Sequence, residues 1–110
     1  MSYNVETIPT FDRQLKRLAK KFPSLKSDLA RLTESLEENP EQGTPLGHNC
    51  FKIRLAIRSK GKGKSGGSRI ITHVQITGET VYLLSMYDKS DKSTLDEGEL
   101  DALLTEIEDD

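Results

Sequence analysis

Between residues 50 and 78 the chain carries seven basic side chains, Lys52, Arg54, Arg58, Lys60, Lys62, Lys64 and Arg69, and no acidic one. Lys52 and Arg54 lie two apart in an alternating segment, which puts both on one face of a strand, roughly 6–7 Å apart. Arg69 and His73 share one parity of the next alternating segment, with Ile71 and Gln75, while Ile70, Thr72, Val74 and Ile76 form its apolar side. An ordinary solvated strand face would account for Lys52 and Arg54 alone. A hairpin that adds Arg69 and His73 gathers four cationic or titratable groups on one open face. Such a face suits phosphate, and it repels itself when no anion is present.

Crowded positive charge favours neutral lysine and lowers its pKa. A lysine so lowered can serve as a general base near neutral pH, and a guanidinium can stabilise charge developing on a phosphorane. RNA carries its own nucleophile, the 2′-hydroxyl. Cleavage then needs a base, a phosphate clamp and an acid for the leaving 5′-oxygen, with no metal or other cofactor. For the acid the sequence offers Tyr87, close to Lys89 and Lys92, whose positive charge is expected to lower the phenol's pKa; His73 and Lys89 are the alternatives.

Two other motifs carry less. Gly63-Lys64-Ser65 suggests a phosphate-binding loop, but the first glycine of that motif would fall at Arg58, and a strand follows where a helix is required. The stretch 59–68 is better read as a basic loop in which Lys60, Lys62 and Lys64, with Arg58 before it, reach a nucleic-acid backbone. His48, Cys50 and His73 lack a fourth ligand at suitable spacing for zinc, so no metal is expected and Cys50 is read as a small buried apolar residue.

The elements that must position these groups follow from hydrophobic period. Residues 3–8 read as a short strand ending at Pro9. Thr10 is the expected N-cap of a helix with Phe11, Leu15, Leu18, Ala19 and Phe22 on one face and Arg13, Lys16, Arg17, Lys20 and Lys21 elsewhere. Pro23 breaks it, and Leu25, Leu29, Leu32 and Leu36 mark a second helix that stops at Asn39-Pro40. The short turn between them predicts an antiparallel hairpin. Residues 41–49 read as loop, 51–58 as strand, 69–76 as strand, Gly78-Glu79 as a tight turn, and 80–87 as a strand apolar enough to be central. Thr94 and Glu97 fit a capping box for a last helix with Leu100, Leu103, Leu104 and Ile107 on its apolar stripe. The sequence therefore predicts an α+β fold of order β-αα-βββ-α: a small, twisted, mostly antiparallel sheet with a helical hairpin packed on one face.

At 110 residues this is one domain, 1–110, and the 34% apolar content is periodic enough to build one core. No apolar run is long enough to span a membrane, and the first ten residues lack the pattern of a secretory signal. One cysteine fits a reducing compartment. The net charge of −2 hides a division: residues 79–110 hold eleven acids and two bases, so the acidic end can lie near the basic sheet and partly mask it.

Five segments resemble the RelE/ParE superfamily of type II toxins, above all its RelE- and HigB-like mRNA interferases. They are Phe11-x-x-x-Leu15-Lys16-x-Leu18, the closing Asn39-Pro40, Leu46-Gly47-x-Asn49-x-Phe51-Lys52-Ile53-Arg54-Leu55, Gly66-Gly67-x-Arg69-Ile70-Ile71 and Val81-x-Leu83-Leu84-x-x-Tyr87-Asp88-Lys89. The resemblance implies a RelE-like fold and an endoribonuclease that cuts mRNA in the ribosomal A site by 2′-hydroxyl attack. It implies a cytoplasmic protein with three partners: ribosome, mRNA and a cognate antitoxin. By position, Lys52 is the general base, Arg54 its basic neighbour and Arg69 the holder of the scissile phosphate. Lys89 stands where the family has an arginine, and the family's downstream tyrosine falls at Leu95, which leaves the acid open. The rival expectation is a ParE-like, non-enzymatic inhibitor of DNA gyrase. The Lys52, Arg54 and Arg69 set favours the nuclease, because a gyrase binder needs no phosphate clamp.

Overall fold

A computed structural model describes residues 2–60, 67–92 and 94–107. Five strands form one sheet in the order β1-β5-β4-β3-β2: β1 (Asn4–Thr7), β2 (Thr44–Gly47), β3 (Cys50–Leu55), β4 (Ser68–Gln75) and β5 (Thr80–Asp88). All neighbours are antiparallel except β1 and β5. Two helices, α1 (Pro9–Lys21) and α2 (Leu25–Glu38), form the expected hairpin, and a short α3 (Glu99–Leu104) follows the sheet. Phe11, Leu18, Leu25, Leu29, Leu32 and Leu36 are buried in one core with Ile53, Leu55, Ile70, Val74, Val81 and Met86.

The α+β class and the hairpin-on-sheet arrangement agree with the sequence. Three details do not. The stretch read as loop, 41–49, contains β2. Its Pro45 and Gly47 disguise it, and a sheet edge tolerates both. A two-residue turn joins β2 to β3, with His48 and Asn49 both at positive φ, 55° and 58°, the backbone that suits a tight hairpin. Second, Thr10 does not cap α1. Ile8 stands at the N-cap, and the free N–H of Thr10 donates instead to Glu106 Oε1, 3.0 Å away, from the other end of the chain. Third, the Thr94 capping box does not form. α3 starts after Gly98, which takes φ 81°, and the Glu99 carboxylate accepts from the Asp96 N–H.

β5 is central, between β1 and β4, as its apolar run predicts. It contains a bulge: Ile71 pairs with Ser85 but Thr72 with Leu83, so Leu84 has no partner on β4. The extra residue flips the parity of β5. Tyr82 and Tyr87 thereby both fall on the face of β4 that carries Arg69 and His73. Beyond β1, the N–H of Met86 donates to Gln14 Oε1 of α1 at 2.8 Å, which closes the uncovered edge of β5.

Candidate nucleic-acid interface

Strand register builds the site directly. Arg54 pairs with Arg69, and Arg69 with Tyr87, so these three form one cross-strand row on one face. The next row is Lys52, Ile71 and Ser85, and beyond it lie Cys50, His73 and Tyr82. The sequence expectation that Lys52, Arg54, Arg69 and His73 share a face is therefore met. The start of β4 can approach β3 only because residue 67 is glycine: a Cβ there would stand 2.1 Å from the Leu55 carbonyl oxygen.

Exposure divides this face. Arg54 is exposed and Lys52 half-buried, and neither side chain makes a hydrogen bond or ion pair to a described residue. Arg69 is only 7% exposed, with its Nη1 donating to the Ser68 carbonyl at 3.3 Å, and Tyr87 is 4% exposed. The chain after β5 lies over them. Lys92 Nζ sits 5.2 Å from the centre of the Tyr87 ring and is held by both carboxylate oxygens of Glu99, at 2.7 and 2.9 Å. At the other end of the face, Leu104 and Ile107 border a cavity together with His73 and Gln75. Glu106 fastens the segment to Thr10 of α1 through its N–H and hydroxyl. The acidic end of the chain thus masks part of the basic sheet, as its charge suggests.

Burial corrects the expectation for Tyr87. Desolvation pushes its phenol above the usual value and outweighs the nearby Arg69; Glu99 adds to the rise. The lysine charge expected to lower it is spent on Glu99. The hydroxyl is buried without a hydrogen-bond partner among the described residues. Burial likewise holds His73 below the usual histidine range, so at neutral pH it adds no charge. Its Nδ1 lies 3.5 Å from Cys50 Sγ, and its ring stacks on Tyr82. Cys50 is buried as expected, and desolvation pushes its thiol up to about 11.

The remaining candidates scatter. Lys89 is exposed just beyond β5, its N–H reaching the Gly67 carbonyl at 3.4 Å. Lys92, expected on RNA, is committed to Glu99. Arg58 is anchored on Asp28, whose carboxylate accepts from its backbone N–H at 3.0 Å and its Nε at 2.9 Å, and its side chain stays largely exposed. The side chain of Lys60 and the whole of Lys62 and Lys64 lie outside the described residues. Among the described residues no group of three histidines, cysteines or carboxylates could hold a metal.

Sequence reasoning missed Asp28. It accepts from Ser24 Oγ at 2.7 Å and Arg31 Nη2 at 2.9 Å as well as from Arg58. Burial pulls its carboxyl upward, but the bonds from Ser24, Arg58 and Arg31 outweigh this and hold it below the usual carboxylate range. A signal was present. Helical spacing puts Asp28 within the Leu25, Leu29, Leu32 stripe, and an acid there must find partners.

Residues 10–107 match the model of the RelE toxin of RelE/RelB toxin–antitoxin systems. Solved structures share the fold. An arginine-substituted mutant of the E. coli toxin RelE in the free state superposes with a TM-score of 0.59 at 20% identity, covering 96% of this chain and 94% of its own. The E. coli RelBE toxin–antitoxin complex gives 0.61 at 19% identity, with 79% and 96% covered. The RelBE2 complex of Mycobacterium tuberculosis gives 0.61 at 20% identity, with 80% and 92% covered.

Proposed function

The chain belongs to the RelE toxin family of type II toxin–antitoxin systems, and on that premise we propose that its basic sheet face cleaves messenger RNA on the ribosome. The observation that carries the reading is the pairing of Arg54 with Arg69 and the placement of Lys52 in the adjacent row. Three cations sit together: Arg54 exposed, Lys52 half-buried and Arg69 buried. In the reaction Lys52, as the neutral amine, takes the proton of a 2′-hydroxyl. The resulting oxyanion attacks the adjacent phosphorus. Arg54 binds the phosphate, and Arg69 beneath it adds positive charge as the phosphorane forms. The bond to the 5′-oxygen breaks, leaving a 2′,3′-cyclic phosphate, and that oxygen takes a proton.

Lys89 is the exposed donor nearest this row in sequence. Tyr87 reaches the leaving oxygen only when the segment over it moves. These side chains supply the whole reaction, so no metal is required. The ribosome enters because one exposed and one half-buried side chain cannot hold a flexible strand in attack geometry; the decoding site can.

Among the described residues no helix is long and apolar enough to cross a membrane. The reading places the protein in the cytoplasm with ribosomes, and its family supplies the expectation of a cognate antitoxin partner, bound by a helix or added strand on the basic face or the segment 94–107. The match to the RelE model favours this over gyrase inhibition.

Induction in bacteria, with mapping of mRNA 5′ ends and a parallel gyrase assay, tests the reading. New 5′ ends within codons and unaltered gyrase activity are expected. Gyrase inhibition without new ends would replace the nuclease with the rival.

A further inference from the structure

Pairing of β2 with β3 ends at Thr44 and Lys52. Past that point a groove of about 680 Å³ opens between β3 and α2, and its walls carry Arg31, Lys52, Arg54 and Arg58. Asp28 is the one carboxylate among the described lining residues, and it is already satisfied. Its side chain is 2% exposed and anchors both Arg31 Nη2 and Arg58 Nε at 2.9 Å. The two arginine side chains remain 56% and 58% exposed. Each is therefore pinned at one end and open at the other.

A second clasp fixes the backbone beneath Arg58. Ser59 N–H donates to Ser24 Oγ at 2.8 Å, and Ser24 N–H to Ser59 Oγ at 3.2 Å. Arg58 Nη2 also donates to Ser27 Oγ at 3.2 Å. A guanidinium has five N–H donors in a rigid fork. Apart from these bonds, the donors of Arg31 and Arg58 meet no described residue. A pair of forks held in place beforehand loses little freedom when it binds.

We propose that Asp28 presents Arg31 and Arg58 as a paired guanidinium clamp for a backbone phosphate of RNA, on the nucleotides flanking the one held at Lys52 and Arg54. The occupant follows from the lining. Lys52 and Arg54 line the same groove where it opens at the free edge of β3, so a strand that leaves their face across that edge runs on past Arg31 and Arg58. Paired planar forks match the oxygens of a phosphate, and Gln42 and Thr44 in the wall offer uncharged polar contacts. Asp28 touches no RNA; it is a positioning residue. The inference rests on the nuclease reading only for the identity of the ligand.

The test is binding of a fluorescent, fully 2′-O-methylated single-stranded RNA, which cannot be cut, to the full chain across a range of salt. Arg31→Ala and Arg58→Ala should each weaken binding several-fold at low salt and reduce the slope of log affinity against log salt by roughly 0.7. Arg31→Lys should keep the slope and lose affinity, because it keeps charge without the fork. Lys16→Ala on α1 is the control for charge alone. Arg31 is exposed, so its variants fold, and thermal melting verifies this. Losses no greater than for Lys16→Ala would overturn the proposal, as would arginine variants that weaken only an acidic antitoxin peptide. A wild-type chain that binds RNA through these arginines yet cuts no mRNA supports the clamp and defeats the nuclease reading.

Discussion

Arg54 and Arg69 face each other across two strands, and Tyr87 completes the row, yet the two ends of that row live in different solvents. At the β3 end, Arg54 is exposed and Lys52 half-buried, and neither side chain is committed to a described residue. At the β5 end, Arg69 and Tyr87 lie under the segment that carries Lys92, Glu99 and Leu104. Pleating decides which face a side chain takes, but only tertiary packing decides whether that face meets water. In the proposed reaction, chemistry on RNA falls to the open end, and the covered end supplies charge and support.

The largest expected effect is at the open end. Lys52→Ala, which removes the proposed base, should slow ribosome-dependent cleavage by roughly 10²–10⁴-fold, and Arg54→Ala should also impair it, both with wild-type melting temperatures. Comparable rates for Lys52→Ala and wild type would erase the distinction between the two ends. Next comes stability at the arginine anchor. Asp28→Ala removes a buried carboxylate that accepts four hydrogen bonds from three residues and should cost about 2–3 kcal/mol in chemical denaturation, since bonds to charged groups are the stronger kind.

A smaller effect concerns the cover. Glu106→Gln should free the segment 94–107 from α1, at about 0.5–1 kcal/mol, and hydrogen exchange there should quicken while β4 stays protected. Glu106 titrates below its ordinary value of 4.5, held down chiefly by the Thr10 hydroxyl, and Glu99 is likewise held down by Lys92 despite burial. A depressed carboxylate contributes stability above its unfolded value, and that contribution fades as pH falls through the folded value. The cover should therefore hold at neutral pH and loosen below about pH 4.5, earlier than the sheet. Exchange in 94–107 that does not respond to pH would remove these carboxylates as its fastenings.

The smallest effect should be Tyr87→Phe. It deletes a buried hydroxyl that lacks a described partner, so stability should hold or rise slightly, and cleavage should stay within about tenfold of wild type. A loss of roughly 10²–10⁴-fold would instead make Tyr87 the acid and show that the cover opens during catalysis.

The sequence made the shared face legible because alternation is local: Lys52 and Arg54 on β3, and Arg69 and His73 on β4, needed only parity and a hairpin. The helical hairpin was legible from its leucines and Pro23. β2 was not, because Pro45 and Gly47 look like breakers and an edge strand needs few bonds. Tyr87 was misjudged because its pKa depends on what covers it, and the covering residues are Lys92 and Glu99, which neutralise each other. The bulge at Leu84, which brings Tyr82 and Tyr87 to one face, leaves no mark in a mostly apolar run. Asp28 was legible in principle, as an acid inside a leucine stripe, but its partner Arg58 lies thirty positions away.

The central claim is that Lys52 and its neighbours cut RNA by 2′-hydroxyl attack on the ribosome. It is tested most directly by incubating purified protein with programmed ribosomes in a metal-independent readout of the product ends, alongside the same mRNA without ribosomes. Fragments ending in 2′,3′-cyclic phosphate and 5′-hydroxyl are expected, formed only with ribosomes and lost in Lys52→Ala. Fragments bearing 5′-phosphate, or equal cutting of naked mRNA, would contradict it.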